Sequence, residues 1–177
     1  NRLQALSRAF LPGPLHPADC TIIIRMETPE FKTVGIVGAG AMGRGIAQIA
    51  AQAGSKVLLF DTQADAVAKA RESVAAQWDK LVEKGRIDAA AAAAQKERLQ
   101  PAATLADLAP CDLIVEAVVE RLDVKKGLFA ELEGIVQTTA VLATNTSSLS
   151  VTAIAAGLKR PQQFAGFHFF NPVPLMT

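Results

Sequence analysis

The segment Gly38-Ala39-Gly40-Ala41-Met42-Gly43 has the residue types and the spacing of a phosphate-binding turn. A β-branched run, Thr33–Val37, precedes it, and helix-forming residues follow it. In that setting Gly38 permits a tight turn, Gly40 lets the backbone approach a pyrophosphate, and Gly43 lets helix and strand pack closely. The free N–H groups at the start of the helix would then face the phosphates. A glycine-rich turn without a ligand is the alternative.

An acidic residue, Asp61, stands at the end of the second predicted strand, Lys56–Phe60. A carboxylate at this point accepts hydrogen bonds from the hydroxyls of an adenosine ribose and repels a 2′-phosphate. Thr62 and Gln63 follow, so no Arg or Lys stands next in the sequence to bind such a phosphate. The glycine loop and Asp61 therefore predict NAD, rather than NADP, as the cofactor. Asp61 could also serve only as a cap of the next helix.

The elements that must position these residues alternate between strand and helix. Strands are predicted at Thr33–Val37, Lys56–Phe60, 113–115 and Val141–Thr144, and Phe164–Gly166 leads into a further loop. Helices are predicted at 42–53, 64–84, Ala89–Arg98, 123–136 and 151–156, the last capped by Ser150. The order indicates an α/β fold with a doubly wound, Rossmann-type parallel sheet and a helical hairpin insertion, 64–84 with Ala89–Arg98. Four polar residues lie at or just past strand ends, where ligands bind in such folds: Asp61, Glu120, Ser147 and His168.

Composition and charge disfavour several other classes of function. The 177 residues carry 18 Lys plus Arg against 17 Asp plus Glu, so no global field would recruit nucleic acid or an anionic membrane. No apolar run approaches the roughly 20 residues that a membrane span needs. Cys20 and Cys111 show no metal-like spacing, so we predict reduced thiols and no metal site.

The N-terminal segment differs from the rest of the chain. Residues 1–30 are predicted to be an extension that is disordered or lies upstream of a true start, for which Met26 is a candidate. The basic, acid-poor composition also leaves an organellar transit peptide open, although prolines interrupt it. Residues 31–177 are predicted to form the dinucleotide-binding domain, truncated at its C-terminal end.

Three further motifs occur in order along the chain. They are Ile114-Val115-Glu116-Ala117-Val118-Val119-Glu120, Asn145-Thr146-Ser147-Ser148-Leu149-Ser150 and Phe164-Ala165-Gly166-Phe167-His168-Phe169-Phe170-Asn171-Pro172-Val173-Pro174. Together they resemble the NAD-binding domain of the L-3-hydroxyacyl-CoA dehydrogenase family, with the bacterial 3-hydroxybutyryl-CoA and 3-hydroxyadipyl-CoA enzymes as the nearest members. The resemblance runs from about Lys32 to Thr177. It implies NAD-dependent oxidation of an L-3-hydroxyacyl-CoA to a 3-oxoacyl-CoA, in the catabolism of fatty acids or aromatic compounds.

The resemblance implies catalytic roles for His168, Ser147 and Asn171. His168 would be the general base that takes the proton of the 3-hydroxyl, a task suited to an imidazole near neutral pH. Ser147 would bind the C3 oxygen of the substrate and reach the nicotinamide, because a hydroxyl both donates and accepts. Asn171 would order the same loop. Without the resemblance, these residues read as a structural histidine, a helix cap and a turn before Pro172.

Other positions match contacts to the cofactor and to CoA. Glu120 and Lys125 stand where the family contacts the cofactor, and Lys84 stands where a lysine meets the CoA phosphates. The predicted cofactor-binding set is Gly38, Ala39, Gly40, Ala41, Met42, Gly43, Asp61, Glu120, Lys125 and Ser147. A surface ion pair is the alternative for Glu120 and Lys125, and a charged helix end is the alternative for Lys84.

The resemblance also implies parts that this chain lacks. These are a Glu shortly after the Pro-Val-Pro run and a C-terminal helical domain that closes the cleft and forms a homodimer. We therefore expect the chain to fold and bind NAD but to turn over an acyl-CoA poorly or not at all. A bacterial cytoplasm is the expected location, with the mitochondrial matrix as the alternative.

Three other functional readings stay open from the sequence. One is a non-catalytic, crystallin-like relative that binds NAD. Another is the NAD domain of a multifunctional fatty-acid oxidation protein. The third is a different NAD dehydrogenase, acting on a 3-hydroxyacid or sugar acid, which would share the glycine loop but not the His-Phe-Phe-Asn-Pro run.

Overall fold

The computed structural model describes residues 31–63 and 65–175. The predicted N-terminal extension, residues 1–30, lies outside the described residues. The strands are β1 (Thr33–Val37), β2 (Lys56–Phe60), β3 (Leu99–Pro101), β4 (Leu113–Glu116), β5 (Val141–Thr144) and β6 (Phe164–Gly166). The α-helices are α1 (Ala41–Gln52), α2 (Ala66–Glu83), α3 (Ala89–Arg98), α4 (Leu122–Ile135) and α5 (Val151–Ala155), and 3-10 turns lie at Leu105–Leu108, Pro161–Gln163 and Val173–Leu175.

The six strands form one parallel sheet in the order β3-β2-β1-β4-β5-β6. This is the doubly wound order in which the chain reverses direction across the sheet between β1 and β4. The predicted fold class is therefore confirmed. The crevice between β1 and β4 opens at the carboxyl edge, directly beside the glycine loop that follows β1.

Two apolar cores cover the two faces of the sheet. Alternate strand residues face opposite sides, so Ile36 packs with α1, α2 and α3, whereas its neighbour Val37 packs with α4 and α5. Trp78 on α2 is fully buried in the first core, and Phe129 on α4 is fully buried in the second. Because all six strands run parallel, their carboxyl ends lie at one edge of the sheet, between the two layers of helices.

The helical hairpin insertion is present as α2 and α3, which connect β2 to β3. Asp88 caps α3, since its side chain accepts a hydrogen bond from the Ala91 N–H at 2.6 Å. Helix α2 begins at Ala66 rather than at 64, and Ala64 itself lies outside the described residues. The other predicted helix bounds differ from the observed ones by one residue at most.

Strand β3 was missed by the sequence analysis, which passed from α3 directly to the strand at 113. Only three residues form β3, and Pro101 is one of them, so the segment shows no alternating pattern. Proline is tolerated here because β3 is an edge strand paired with β2 alone.

Two further features bear on what the fold offers for chemistry. Cys111 is buried beneath β4, and burial raises the pKa of its thiol to about 12. Within residues 31–63 and 65–175, no cluster of His, Cys, Asp and Glu has the composition of a metal site. In the same ranges, no helix has the length and apolar character needed to cross a membrane.

Candidate functional site

The glycine loop makes the turn that its sequence requires. Gly38 has a φ of +105°, a conformation that side-chain-bearing residues rarely adopt, and its N–H donates to the Phe60 carbonyl at 2.8 Å. At Gly43, a Cβ would stand 1.8 Å from the Gly38 carbonyl oxygen, so only glycine allows this approach of helix to turn. A Cβ at Gly40 would meet nothing within 4 Å, which leaves open space at the middle of the loop.

The start of α1 faces this open space. The Gly40 carbonyl accepts the first helical hydrogen bond, from the Arg44 N–H at 2.9 Å. No side chain caps the helix, and its first turn contains no acidic residue. The N–H groups of the first turn thus remain available to an anion, and the positive end of the helix dipole points the same way. The loop and helix fit a dinucleotide pyrophosphate.

Asp61 lies beside the loop and holds it. One carboxylate oxygen accepts the Ala39 N–H at 2.7 Å, and the other accepts the Gln63 N–H at 2.9 Å. The structure thus shows Asp61 fastening the glycine loop and its own turn, whereas Asp65 occupies the N-cap position of α2. Each oxygen retains a second lone pair, so a ribose hydroxyl can still be bound.

A cleft of about 280 Å³ opens at Asp61 and Gly40, and two basic residues, Arg44 and Lys69, line it as well. Lys69 pairs with Asp65 one helical turn away. No Arg or Lys follows Asp61 directly in the chain, but Arg44 and Lys69 lie close to it in the folded structure. Arg44 lies on α1 and Lys69 lies on α2. Nothing in the sequence around either residue indicates that it lies close to Asp61.

On the other side of β1, Glu120 organises the loop that follows β5. Its Oε1 accepts hydrogen bonds from the Thr146 hydroxyl, the Ser147 N–H at 3.0 Å and the Ser148 N–H at 3.2 Å. Its Oε2 lies 3.2 Å from the Lys125 ammonium. Burial would raise the pKa of Glu120, but hydrogen bonds from Thr146, Lys125 and Ser148 outweigh that effect and lower the pKa to about 2. Glu120 is therefore ionised at neutral pH.

Lys125 is not part of a surface ion pair, because its side chain is only 1% exposed. Its ammonium bridges two carboxylates, Glu116 at 2.6 Å and Glu120 at 3.2 Å. Glu116 ends β4 and was not predicted from the sequence to be a site residue. An acidic residue inside an otherwise apolar strand was the available signal, since a buried carboxylate requires partners.

The segment that carries His168 is tied to the end of β5. The Phe167 N–H donates to the Thr144 carbonyl at 2.9 Å, and the Phe169 N–H donates to Asn145 Oδ1 at 2.8 Å. His168 lies between these two hydrogen bonds, is solvent-exposed and packs its ring against Phe170 at 4.6 Å between centroids. The structure thus brings the Ser147 loop and the His168 segment together at neighbouring strand ends.

Further along the same segment, Val173 forms a second anchor, which was not predicted from the sequence. Val173 is buried against α1 at Gly45, where a Cβ would lie 2.8 Å from the Val173 Cβ. Asn171 is exposed in the bend between His168 and Val173. Its predicted role in ordering the loop stays a prediction.

Lys84 does not join these groups. It is the C-cap of α2, and the 18 residues of that helix span about 27 Å at 1.5 Å per residue. Because the first residues of α2 line the Asp61 cleft, the length of the helix separates Lys84 from that cleft. Its assignment to the CoA phosphates stays a prediction.

Known proteins have sequences similar to this part of the chain. A family model described as 3-hydroxyacyl-CoA dehydrogenase, NAD binding domain, matches residues 33–177. A 3-hydroxyadipyl-CoA dehydrogenase of Escherichia coli is 45% identical over 147 residues, covering 83% of this chain and 31% of that protein. A 3-hydroxybutyryl-CoA dehydrogenase of Bradyrhizobium diazoefficiens is 42% identical over 146 residues, covering 82% of this chain and 50% of that protein.

A solved structure gives the same result in three dimensions. The crystal structure of 3-hydroxybutyryl-CoA dehydrogenase from Escherichia coli K12 superposes with a TM-score of 0.81 at 44% identity, covering 84% of this chain and 31% of that chain. This chain thus spans about a third to a half of the length of these relatives.

Proposed function

The chain belongs to the family of the 3-hydroxyacyl-CoA dehydrogenase NAD-binding domain, and from that membership we propose that it oxidises L-3-hydroxyacyl-CoA thioesters to 3-oxoacyl-CoA with NAD. The observation that carries the proposal is the convergence of three segments at one edge of the sheet. These are the glycine loop after β1, the Ser147 loop after β5 and the His168 segment after β6. This convergence supports a cofactor site and a general base in one crevice.

Some of these residues bind the cofactor, and others act on the substrate. The N–H groups at the start of α1 bind the pyrophosphate, Asp61 binds the adenosine ribose, and Glu120 and Lys125 support the nicotinamide side. When bound, NAD supplies an acceptor for the hydride that leaves C3. His168 accepts the proton of the 3-hydroxyl, and the Ser147 hydroxyl donates a hydrogen bond to the same oxygen as it becomes a carbonyl.

The surface around this crevice suits an apolar partner. Val119, Phe167 and Phe170 are the large hydrophobic side chains that stand exposed among the described residues, and all follow strands at the carboxyl edge. We assign this surface to the acyl chain of the substrate and to the interface of a homodimer. Since the relatives cited above are bacterial, we place the reaction in a bacterial cytoplasm.

Replacement of His168 tests the proposed reaction. For His168→Gln we expect acetoacetyl-CoA-dependent oxidation of NADH, measured at high chain concentration, to fall by about 10² or more, the usual contribution of a general base. The Kd for NADH, measured by nucleotide fluorescence, should stay within about twofold because the proposed pyrophosphate and ribose contacts belong to the glycine loop and Asp61 rather than to His168.

Two results would count against the proposal in different ways. If the unaltered chain binds NADH but oxidises none with acetoacetyl-CoA, the proposal that this chain by itself catalyses the reaction fails, and only its role as a cofactor-binding unit stands. If His168→Gln oxidises NADH as fast as the unaltered chain, the role of His168 as base is refuted.

A further inference from the structure

Glu116 is a fully buried carboxylate, and both of its oxygens accept hydrogen bonds. Its Oε1 accepts from the Lys125 ammonium at 2.6 Å and from the Val118 N–H at 2.7 Å, and its Oε2 accepts from the Thr144 hydroxyl at 2.7 Å. Glu116 and Thr144 are 0% exposed. The three donors come from α4, from the loop after β4 and from the end of β5. One side chain thus joins three elements beneath the crevice.

A buried ion pair is weak evidence for stability, because desolvation offsets the attraction between the charges. Its clearer consequence is geometric. Lysine is a point charge on a flexible four-carbon stem and does not hold a position by itself. With Glu116 at 2.6 Å beneath it, the Lys125 ammonium stays beside Glu120 Oε2, 3.2 Å away.

Glu120 connects Lys125 to the loop after β5. Its other oxygen receives the Thr146 hydroxyl and the N–H groups of Ser147 and Ser148. If Lys125 moved, Glu120 would lose the cation that fixes its second oxygen and could rotate away from the loop. The contacts therefore run in one unbroken series from Glu116 to the backbone of Ser147.

We propose that Glu116 is a positioning residue for the nicotinamide side of the site, acting through Lys125 and Glu120 on the loop that carries Ser147. This inference rests on the proposed function only in taking that loop to face the nicotinamide. The adenosine side has contacts of its own that do not use the Glu116 side chain: Asp61 accepts the Ala39 N–H, and the Ala117 N–H donates to the Val37 carbonyl at 2.8 Å.

Two ligands separate the two sides of the site. NADH reaches both, whereas ADP-ribose has the adenosine and the pyrophosphate but lacks the nicotinamide. For Glu116→Gln in the whole 177-residue chain we expect the Kd for NADH, from nucleotide fluorescence, to rise at least tenfold. The Kd for ADP-ribose, from calorimetry, should stay within twofold. A variant that merely loosens the fold would weaken both ligands together.

A matched control lies on the same helix. Glu133 is a largely buried carboxylate on α4 that accepts the N–H groups of Lys159 at 2.9 Å and Arg160 at 2.6 Å, away from the crevice. Glu133→Gln removes a buried charge from a comparable setting, so both Kd values should stay within twofold of those of the unaltered chain.

A milder variant covers the case in which Glu116→Gln does not fold. Thr144→Val keeps the side-chain shape and removes only the hydroxyl that binds Glu116, so we expect about a threefold weaker NADH affinity with ADP-ribose unchanged. An unaltered ratio of the two Kd values in whichever variant folds would overturn the role of Glu116. If the unaltered chain itself does not bind NADH, it is the proposed function that fails.

Discussion

Asp61 and Arg44 illustrate how single residues set cofactor choice. Asp61 carries the charge that repels a 2′-phosphate, yet Arg44 and Lys69 line the same cleft. Asp65 lines the cleft too and pairs with Lys69, so we infer that discrimination between NAD and NADP depends mainly on the balance between Asp61 and Arg44.

Neutralising Asp61 should reverse that balance. In Asp61→Asn the amide oxygen can still accept the Ala39 N–H, but the negative charge is gone. We expect NADH to bind about tenfold more weakly and NADPH about tenfold more tightly, each corresponding to about 1.4 kcal/mol. Fluorescence titration of both nucleotides measures the change. In Asp61→Asn with Arg44→Ala the gain for NADPH should disappear, and its persistence would show that Arg44 does not contribute.

The low pKa of Glu120 has a consequence for stability. Because the folded state holds this pKa at about 2, below the ordinary value of 4.5, the ionised group stabilises the fold above about pH 4.5. That contribution is lost as the pH falls toward 2. In urea unfolding, the stability difference between the unaltered chain and Glu120→Gln should be largest near neutral pH and shrink between pH 4.5 and 2. A difference independent of pH would contradict the assignment.

At the scale of elements, the position of the His168 segment depends on two anchors outside its own sequence. One is the Asn145 side chain at the end of β5, and the other is the notch at Gly45 on α1 that receives Val173. The first joins the segment to the Ser147 loop, and the second joins it to the helix whose start forms the pyrophosphate site. Helix α1 thus contributes to both parts of the crevice.

Two glycine substitutions in helices test the notch. At Gly45, a Cβ would lie 2.8 Å from the Val173 Cβ, whereas at Gly127 on α4 it would meet nothing within 4 Å. Gly127→Ala should stabilise the chain by about 0.5–1 kcal/mol through helix propensity alone. Gly45→Ala gains the same propensity but must displace Val173, an overpacking cost of about 1–3 kcal/mol, so we expect no net gain or a net loss. Urea unfolding of both variants measures the change in the free energy of unfolding. Equal stabilisation would show that a Cβ at position 45 does not displace Val173.

At the scale of the whole molecule, the strand order explains why residues distant in sequence share one crevice. Parallel strands connected by helices place every carboxyl end at the same edge, and the reversal between β1 and β4 opens a gap there. The glycine loop and Asp61 stand on one side of the gap, and Glu120, Ser147 and His168 stand on the other. Periodicity and motif order were enough to predict this arrangement, because short crossovers leave few alternative topologies.

The sequence by itself determined the features that depend on local chemistry. The loop from Gly38 to Gly43 needs glycine at set positions, Asp61 follows a strand of fixed length, and most helix and strand bounds follow from periodicity and caps. Strand β3 was the exception, since three residues ending in proline form a strand only when β2 offers an edge.

The tertiary structure alone decided which side chains meet around that loop. Arg44 and Lys69 reach the Asp61 cleft, Glu116 reaches Lys125, and Val173 reaches Gly45 only because the crossovers bring separate elements together. These contacts join residues on different elements, so no periodicity or spacing in the chain encodes them. A buried charge such as Glu116 signals that partners exist, but packing chooses which partners they are.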